Sequence, residues 1–171
     1  FEEVSNSDLR TLYNQHHIQG FVGASKAFAL KDKNGDTVAG MSFNIKDGGI
    51  WDLNRFVTSC DVVGGFSKLL KNVIKQYGEF IDEIISFADL RWSYGELYEK
   101  NEFKCVDTTQ PNYYYVIGKS RVRKEHFRHA RMRDIDGFDY DPNETELQNT
   151  ERNGIYRIYD CGLLKYSMKL I

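Results

Sequence analysis

Residues 60–77 read CDVVGGFSKLLKNVIKQY, and the fold turns on what this stretch does. Phe66, Leu69, Leu70, Val73, Ile74 and Tyr77 follow one another at steps of 3, 1, 3, 1 and 3, which is one apolar stripe of a helix starting just after Gly64-Gly65. Upstream, GIWDLNRFVTS (49–59) reads as a strand; downstream, DEIISFADL (82–90) reads as a short buried strand. A strand, a glycine turn, a helix and a strand make one crossover unit, whose two strands must lie parallel. Gly64 and Gly65 then sit at the carboxyl end of a strand and the amino end of a helix. There the first N–H groups lack intrahelical acceptors and the helix dipole adds about half a positive charge. Glycine lets an anion approach because no Cβ intervenes, and Ser67 and Lys68 add a hydroxyl and a cation. The same two glycines also serve as a plain tight turn. The spacing GGFSK is not that of a phosphate-loop NTPase, which needs G-x-x-x-x-G-K-[ST].

Working outward, SNSDLRTLYNQHHI (5–18) predicts a first helix with Leu9, Leu12 and Tyr13 on one face. Two apolar runs between Gly23 and Ile45 flank Asn34-Gly35, the strongest local signal for a hairpin. Ser93 and Glu96 have the spacing of a capping box ahead of a short helix through Lys100. KCVDTT (104–109) and NYYYVIG (112–118) add two strands. The predicted order is helix, three strands, helix, strand, helix, two strands, an α/β (α+β) class with one core.

The 171 residues, 41% hydrophobic and 14% aromatic, suffice for a packed globule. No apolar run approaches the ~20 residues that span a bilayer, and no membrane partner is expected. Cys60, Cys105 and Cys161 are an odd number at wide spacing, which fits neither a disulfide framework nor a zinc knuckle and points to a reducing, cytoplasmic compartment. A net charge of −2 excludes a uniformly basic surface, so nucleic acid must be met by a local patch. The chain starts at Phe1 rather than Met, from which an excised domain or a processed product is expected.

The loop ending SKLLKNVIKQY, then IISFAD, then WSYGELYEKNEF and a closing strand together resemble the GNAT superfamily of acyl-CoA-dependent N-acyltransferases, over roughly residues 9 to 118. The resemblance implies a mixed, mostly antiparallel sheet with a central parallel pair flanked by helices, and a coenzyme A pyrophosphate held at the helix start. It implies an acetyl-CoA or other acyl-CoA site around Val57, Val63, Gly64, Gly65, Phe66, Ser67 and Lys68, and no metal. It places Tyr98 as the acid that protonates the departing thiolate. The alternative for Tyr98 is packing beside Leu97. Asp52 or Asp89 is the candidate general base, with a salt-bridged carboxylate as the alternative for each, and Arg91, Trp92 and Ser93 would line the acceptor side. The chain departs from the family pattern at Asp61, where a basic residue is usual, at Phe66, where a small one is usual, and at Asn101-Glu102, where glycine is commoner.

Beyond a core of 1–118, residues 119–171 read as an extension packed on the same domain, with a basic helix, an acidic stretch and a closing hairpin over NGIYRIYDCGLLKYSMKLI. KSRVRKEHFRHARMR (119–133) holds Arg121, Arg123, Lys124, Arg128 and Arg131 against a single Glu125, with Phe127 interleaved, and this patch points to nucleic acid, DNA favoured. Mutual neutralisation with the acidic stretch DIDGFDYDPNETELQNTE (134–151) is the competing account. His126 and His129 sit three apart without a local acid or cysteine partner, so zinc is not expected. HHIQG, VVGGFSKLLK, ISFADLRWSYGELYEKNEF, PNYYYVIG and TELQNTERNGIYRIYDCGLLKY resemble the carboxyl-terminal region of bacteriophage proteins related to homing endonucleases. That implies a GNAT-like module of a phage nucleic-acid-processing protein in a bacterial host's cytoplasm, with any nuclease upstream. No nuclease constellation is visible. The alternative is an N-acetyltransferase acting on a nucleobase, small-molecule or protein amine without a role at DNA.

Overall fold

A computed structural model describes residues 1–170. In chain order its elements are β1 (Glu2–Val4), α1 (Arg10–His16), β2 (Lys26–Lys31), β3 (Thr37–Lys46), β4 (Ile50–Thr58), α2 (Gly65–Tyr77), β5 (Glu83–Asp89), α3 (Glu96–Glu99), β6 (Lys104–Thr108), β7 (Tyr113–Ile117), β8 (Ser120–Arg123), α4 (His129–Met132), α5 (Glu146–Arg152), β9 (Tyr156–Tyr159) and β10 (Leu163–Lys169). The chain forms two compact units: one of residues 1–88, 93–107 and from Leu164 onward, the other of Asp89–Trp92 and Thr108–Leu163.

The first unit holds a seven-stranded sheet in the order β1-β2-β3-β4-β5-β10-β6. The pairs β1/β2, β2/β3 and β3/β4 are antiparallel and β4/β5 is parallel, as the crossover through α2 requires. Alternation along β2 sends Ala27 and Ala29 to one side and Phe28 and Leu30 to the other. On the alanine side Leu9, Leu12 and Tyr13 pack with Val57; on the phenylalanine side Phe66, Leu69, Leu70 and Val73 of α2 pack with Phe43, Trp51 and Ile84. The expected stripe of α2 and the β2–β3 hairpin at Asn34-Gly35 are both present.

The second unit is a three-stranded antiparallel sheet, β8-β7-β9, over a small core of Tyr115, Phe127 and Met132. Strand pairing rather than chain order sets the division, so β7, expected within a core of 1–118, lies with β8 and β9. The closing hairpin is corrected in its pairing: both arms are strands, but β9 pairs with β7 while β10 enters the first sheet between β5 and β6. The basic stretch is no continuous helix. Arg121-Val122-Arg123 alternates with strand period and pairs with β7, and Phe127 and Met132 then anchor two short helical turns in the core. The acidic stretch is ordered by Asn149, whose side chain accepts from the Asp141 amide at 2.7 Å and donates to the Asp141 carbonyl at 2.9 Å. Among the described residues no helix is long and apolar enough to cross a membrane.

Candidate functional site

Strands β4 and β5 pair only at Ile50↔Glu83, Trp51↔Ile84 and Asp52↔Ile85, although β4 runs on to Thr58 and β5 to Asp89. The pairing ends where β4 carries a bulge: Leu53 faces Phe43 and Arg55 faces Ser42, leaving Asn54 as the extra residue. A bulge bends its strand and breaks the ladder, so the two strands diverge here. The buried Ser86 sits at the point of divergence, its Oγ 2.8 Å from the Leu53 carbonyl oxygen and 2.9 Å from the Tyr98 hydroxyl. A hydroxyl has one proton and a carbonyl only accepts, so Ser86 donates to Leu53 and accepts a hydrogen bond from the Tyr98 hydroxyl. The Tyr98 ring stacks on Tyr166 at 5.1 Å and meets Phe66 and Phe103 edge-on at 6.0 and 5.6 Å. Burial pushes its pKa above the ordinary phenol value, and the Asp52 carboxylate adds to the rise. Tyr98 is therefore a protonated donor at neutral pH, with Asp52 in its electrostatic neighbourhood and ion-paired to Lys46 at 2.7 Å.

The turn before Tyr98 depends on Gly95, at φ 84, where a Cβ would overlap the Tyr166 ring. That glycine, not Ser93, is the N-cap of α3, so the expected capping box does not form: Ser93 Oγ accepts from the Gly95 amide at 3.0 Å, and Glu96 pairs with Lys100 at 3.6 Å. The chain leaves α3 through Glu102 at φ 69, a left-handed conformation that only this non-glycine residue adopts among those described.

At the start of α2, Gly64 has φ 67 and open space where a Cβ would stand. The Gly65 amide donates to the Val62 carbonyl and the Lys68 amide to the Gly64 carbonyl, while the amides of Phe66 and Ser67 have no protein acceptor among the described residues. The Phe66 ring packs inward at 4% exposure, with Phe56 5.0 Å away. It therefore does not occupy the corner its amide faces. Val63 is fully exposed and Asp61 and Lys68 are exposed, and neither charge forms an ion pair among the described residues. Ser67 donates to Asn101 Oδ1 at 2.5 Å, tying this first turn to the loop after α3. Beside that contact a cavity of about 700 Å³ is lined by Leu70, Ile74 and Met168 together with Lys71, Lys100 and Lys104. Val57, expected at the cofactor, packs its side chain with Leu9, Leu12 and Ala27.

Solved acyltransferases share this architecture. The ribosomal-protein-S18-alanine N-acetyltransferase of Escherichia coli matches with a TM-score of 0.58 at 12% identity, over 99% of this chain and 92% of its own. A Bacillus subtilis acetyltransferase in complex with CoA matches with a TM-score of 0.55 at 10% identity, over 99% and 96%. A GNAT family acetyltransferase from Elizabethkingia anophelis with acetyl-CoA bound matches with a TM-score of 0.50 at 14% identity, over 84% and 75%. The fold is the GNAT fold. A scan against protein-family models finds no match, nor does a sequence search of curated proteins.

Two features of this GNAT core were not legible as site residues. Ser86 is a small polar side chain inside the apolar run IISFA, and that mismatch was the available signal. The other lies beneath α1. Tyr13 donates to Ser42 Oγ at 3.0 Å, Ser42 donates to Asn54 Oδ1 at 2.8 Å, and Arg55 donates to the carbonyls of Asn54 and Gly20 at 2.7 and 3.0 Å. This network pins the loop after α1 to the bulge. Burial, with the Arg55 charge, pushes the His17 pKa down to about 4, and burial pushes Tyr13 up to about 12.

The second unit holds the remaining candidates. Asp89 accepts from Arg91 Nε at 2.9 Å and from the Arg91 amide at 3.1 Å, and this holds its carboxyl below the usual range. Asp89 and Arg91 are thus committed to each other. Trp92 is 63% exposed. Arg121, Arg123, Arg128 and Arg131 are exposed and form no ion pair among the described residues. Lys124 donates to Asn112 Oδ1 at 2.9 Å. Within the acidic stretch Asp139 and Glu144 are paired to Arg152, and Asp134 to Arg133 at the end of the basic stretch. His129 Nδ1 lies 3.1 Å from the Tyr140 hydroxyl, and no cluster of three metal-ligating side chains occurs among the described residues.

Proposed function

We propose that this GNAT-fold chain transfers an acyl group from acyl-CoA to an amine, and that its second unit engages nucleic acid. The observation that carries the transferase reading is the coincidence of three features in one unit. These are the end of β4/β5 pairing at Asp52↔Ile85, the Tyr98 hydroxyl at that point, and two unbonded amides at the start of α2.

The residues fit a pyrophosphate. Phe66 and Ser67 present N–H groups at the positive end of a 13-residue helix, Gly64 leaves room for close approach, and Lys68 adds a cation. Acyl-CoA supplies the thioester carbonyl that the neutral amine nitrogen attacks. Asp52 takes a proton from that nitrogen, and Tyr98 gives its proton to the sulfur as the carbon–sulfur bond breaks. Ser86 then holds the phenol in place by accepting from it before the step. Asp61, exposed beside the glycine turn, opposes the incoming phosphates and weakens binding.

That Arg121, Arg123, Arg128 and Arg131 form no ion pair among the described residues supports nucleic-acid contact, because neutralisation by the acidic stretch is the competing account. The resemblance to phage homing-endonuclease-like proteins supports a setting beside a nuclease in a bacterial host's cytoplasm. The second reading, an N-acetyltransferase for a nucleobase, small-molecule or protein amine with no nucleic-acid role, is favoured if acyl transfer is found without such binding.

Calorimetry with acetyl-CoA tests the transferase reading. Expected is binding that weakens when Lys68 becomes Ala; no heat at millimolar ligand overturns it.

A further inference from the structure

Strand alternation in β7, β8 and β9 sorts the second unit's small sheet into two unlike faces. Tyr115, Val122 and Arg157 stand on the packed face, since Tyr115 is fully buried and pairs with Val122 and Arg157. The opposite face is then fixed by the register. One row runs Arg121, Val116, Tyr156; the next runs Arg123, Tyr114, Ile158. This face is open at its edges, where Tyr156 is 60% and Ile158 46% exposed and both arginines are exposed, while Tyr114 and Val116 on the central strand are half-buried.

Its chemistry is specific. Two arginines that form no ion pair among the described residues occupy the β8 edge, and the Arg121 guanidinium lies 5.7 Å from the Tyr114 ring centre. The carboxylate nearest in effect is Asp89, which feels the Arg121 charge but is held by Arg91. Tyr114 and Tyr156 are diagonal neighbours, roughly 7–8 Å apart by sheet geometry, so each can take one flat ring. A notch of about 240 Å³ beside Arg123 and Lys124, lined also by Asn112, Tyr114 and Glu125, has room for a phosphate.

We propose that this face is a stacking platform for single-stranded nucleic acid, with Tyr114 and Tyr156 under successive bases and Arg121 and Arg123 along the phosphates. The inference rests on the nucleic-acid reading above and narrows it. Unpaired bases expose the faces that tyrosines stack on, whereas a duplex hides them and is read by an element inserted into a groove. Among the described residues the unit offers no such element, since α4 is a single turn and α5, ELQNTER, is short and carries Glu146 and Glu151.

Fluorescence anisotropy with the full chain, a labelled 20-mer of thymidylate and a duplex of equal length decides the matter. The expected result is tighter binding of the single strand and about tenfold loss for Tyr156→Ala and for Tyr114→Leu, which keeps the sheet packed without a π face. Arg121→Ala and Arg123→Ala should each reduce the salt slope by about 0.7. Preference for the duplex, or unchanged affinity in both tyrosine variants with losses only for Arg128→Ala and Arg131→Ala, overturns the platform and leaves the broader reading standing. Absence of binding to either probe overturns both.

Discussion

The hydroxyls of Ser86 and Tyr98, 2.9 Å apart, join β5 to α3 at the place where β5 leaves its parallel neighbour. Ser86 also donates to the carbonyl of Leu53, the residue after the last β4/β5 pair. Ser86→Ala therefore strips two buried groups at once and should destabilise by about 1–3 kcal/mol in urea titration. Tyr98→Phe removes only the phenolic end of that bond and should cost about 1 kcal/mol, yet lower the acyl-transfer kcat by about 10²-fold or more. Equal activity of Tyr98→Phe and the parent chain would remove Tyr98 from the chemistry.

Glu102 occupies a left-handed position at the end of α3, φ 69, where an L side chain pays roughly 1–2 kcal/mol. Glycine there relieves that strain but gives back part of it through greater freedom of the unfolded chain. Glu102→Gly should raise stability by about 1 kcal/mol. The change is visible as a higher urea midpoint at unchanged slope.

His17 carries a pH dependence whose sign follows from its depressed pKa. Between its ordinary value near 6.5 and about 4 the unfolded chain binds the proton and the folded one does not, so stability falls as pH drops through that window. The full shift at about 1.4 kcal/mol per pH unit exceeds 3 kcal/mol; solvent screening of a half-exposed ring reduces this to about 1–2 kcal/mol. His17→Gln should lose less stability than the parent between pH 7 and pH 4.5. Identical losses in the two proteins would contradict the assignment.

Asp61 stands beside the α2 turn as an exposed carboxylate. Asp61→Arg replaces repulsion of a pyrophosphate by attraction and should tighten acetyl-CoA binding about tenfold at low salt, less at high salt. Titration calorimetry at two ionic strengths reads both effects.

Periodicity was enough to recover α2, the β2–β3 hairpin and the parallel pair, because each is specified by residues close in sequence. The glycine turn was legible for the same reason, whereas Tyr98 came forward only through the resemblance of WSYGELYEKNEF to the GNAT superfamily. The partners of β9 and β10 were not, since Tyr156-Arg157-Ile158-Tyr159 alternates equally well against any neighbour and only long-range pairing chooses β7. Ser93 was read as a cap because its spacing to Glu96 allowed it; the Tyr166 ring, 73 positions away from it, decided for Gly95. Ser86 and Arg55 escaped notice because their roles arise from a bulge that no local pattern marks.

The second unit's main segment begins and ends at residues that touch. Thr109 donates its amide to the Leu163 carbonyl at 2.8 Å, the Leu163 amide returns a bond to Thr109 Oγ1 at 2.9 Å, and Gly162 lets the strands come this close. A doorway one ladder rung wide means that the piece between can be exchanged as a cassette. A gene could gain, lose or trade it in a single recombination, without rethreading a strand of the scaffold that carries it.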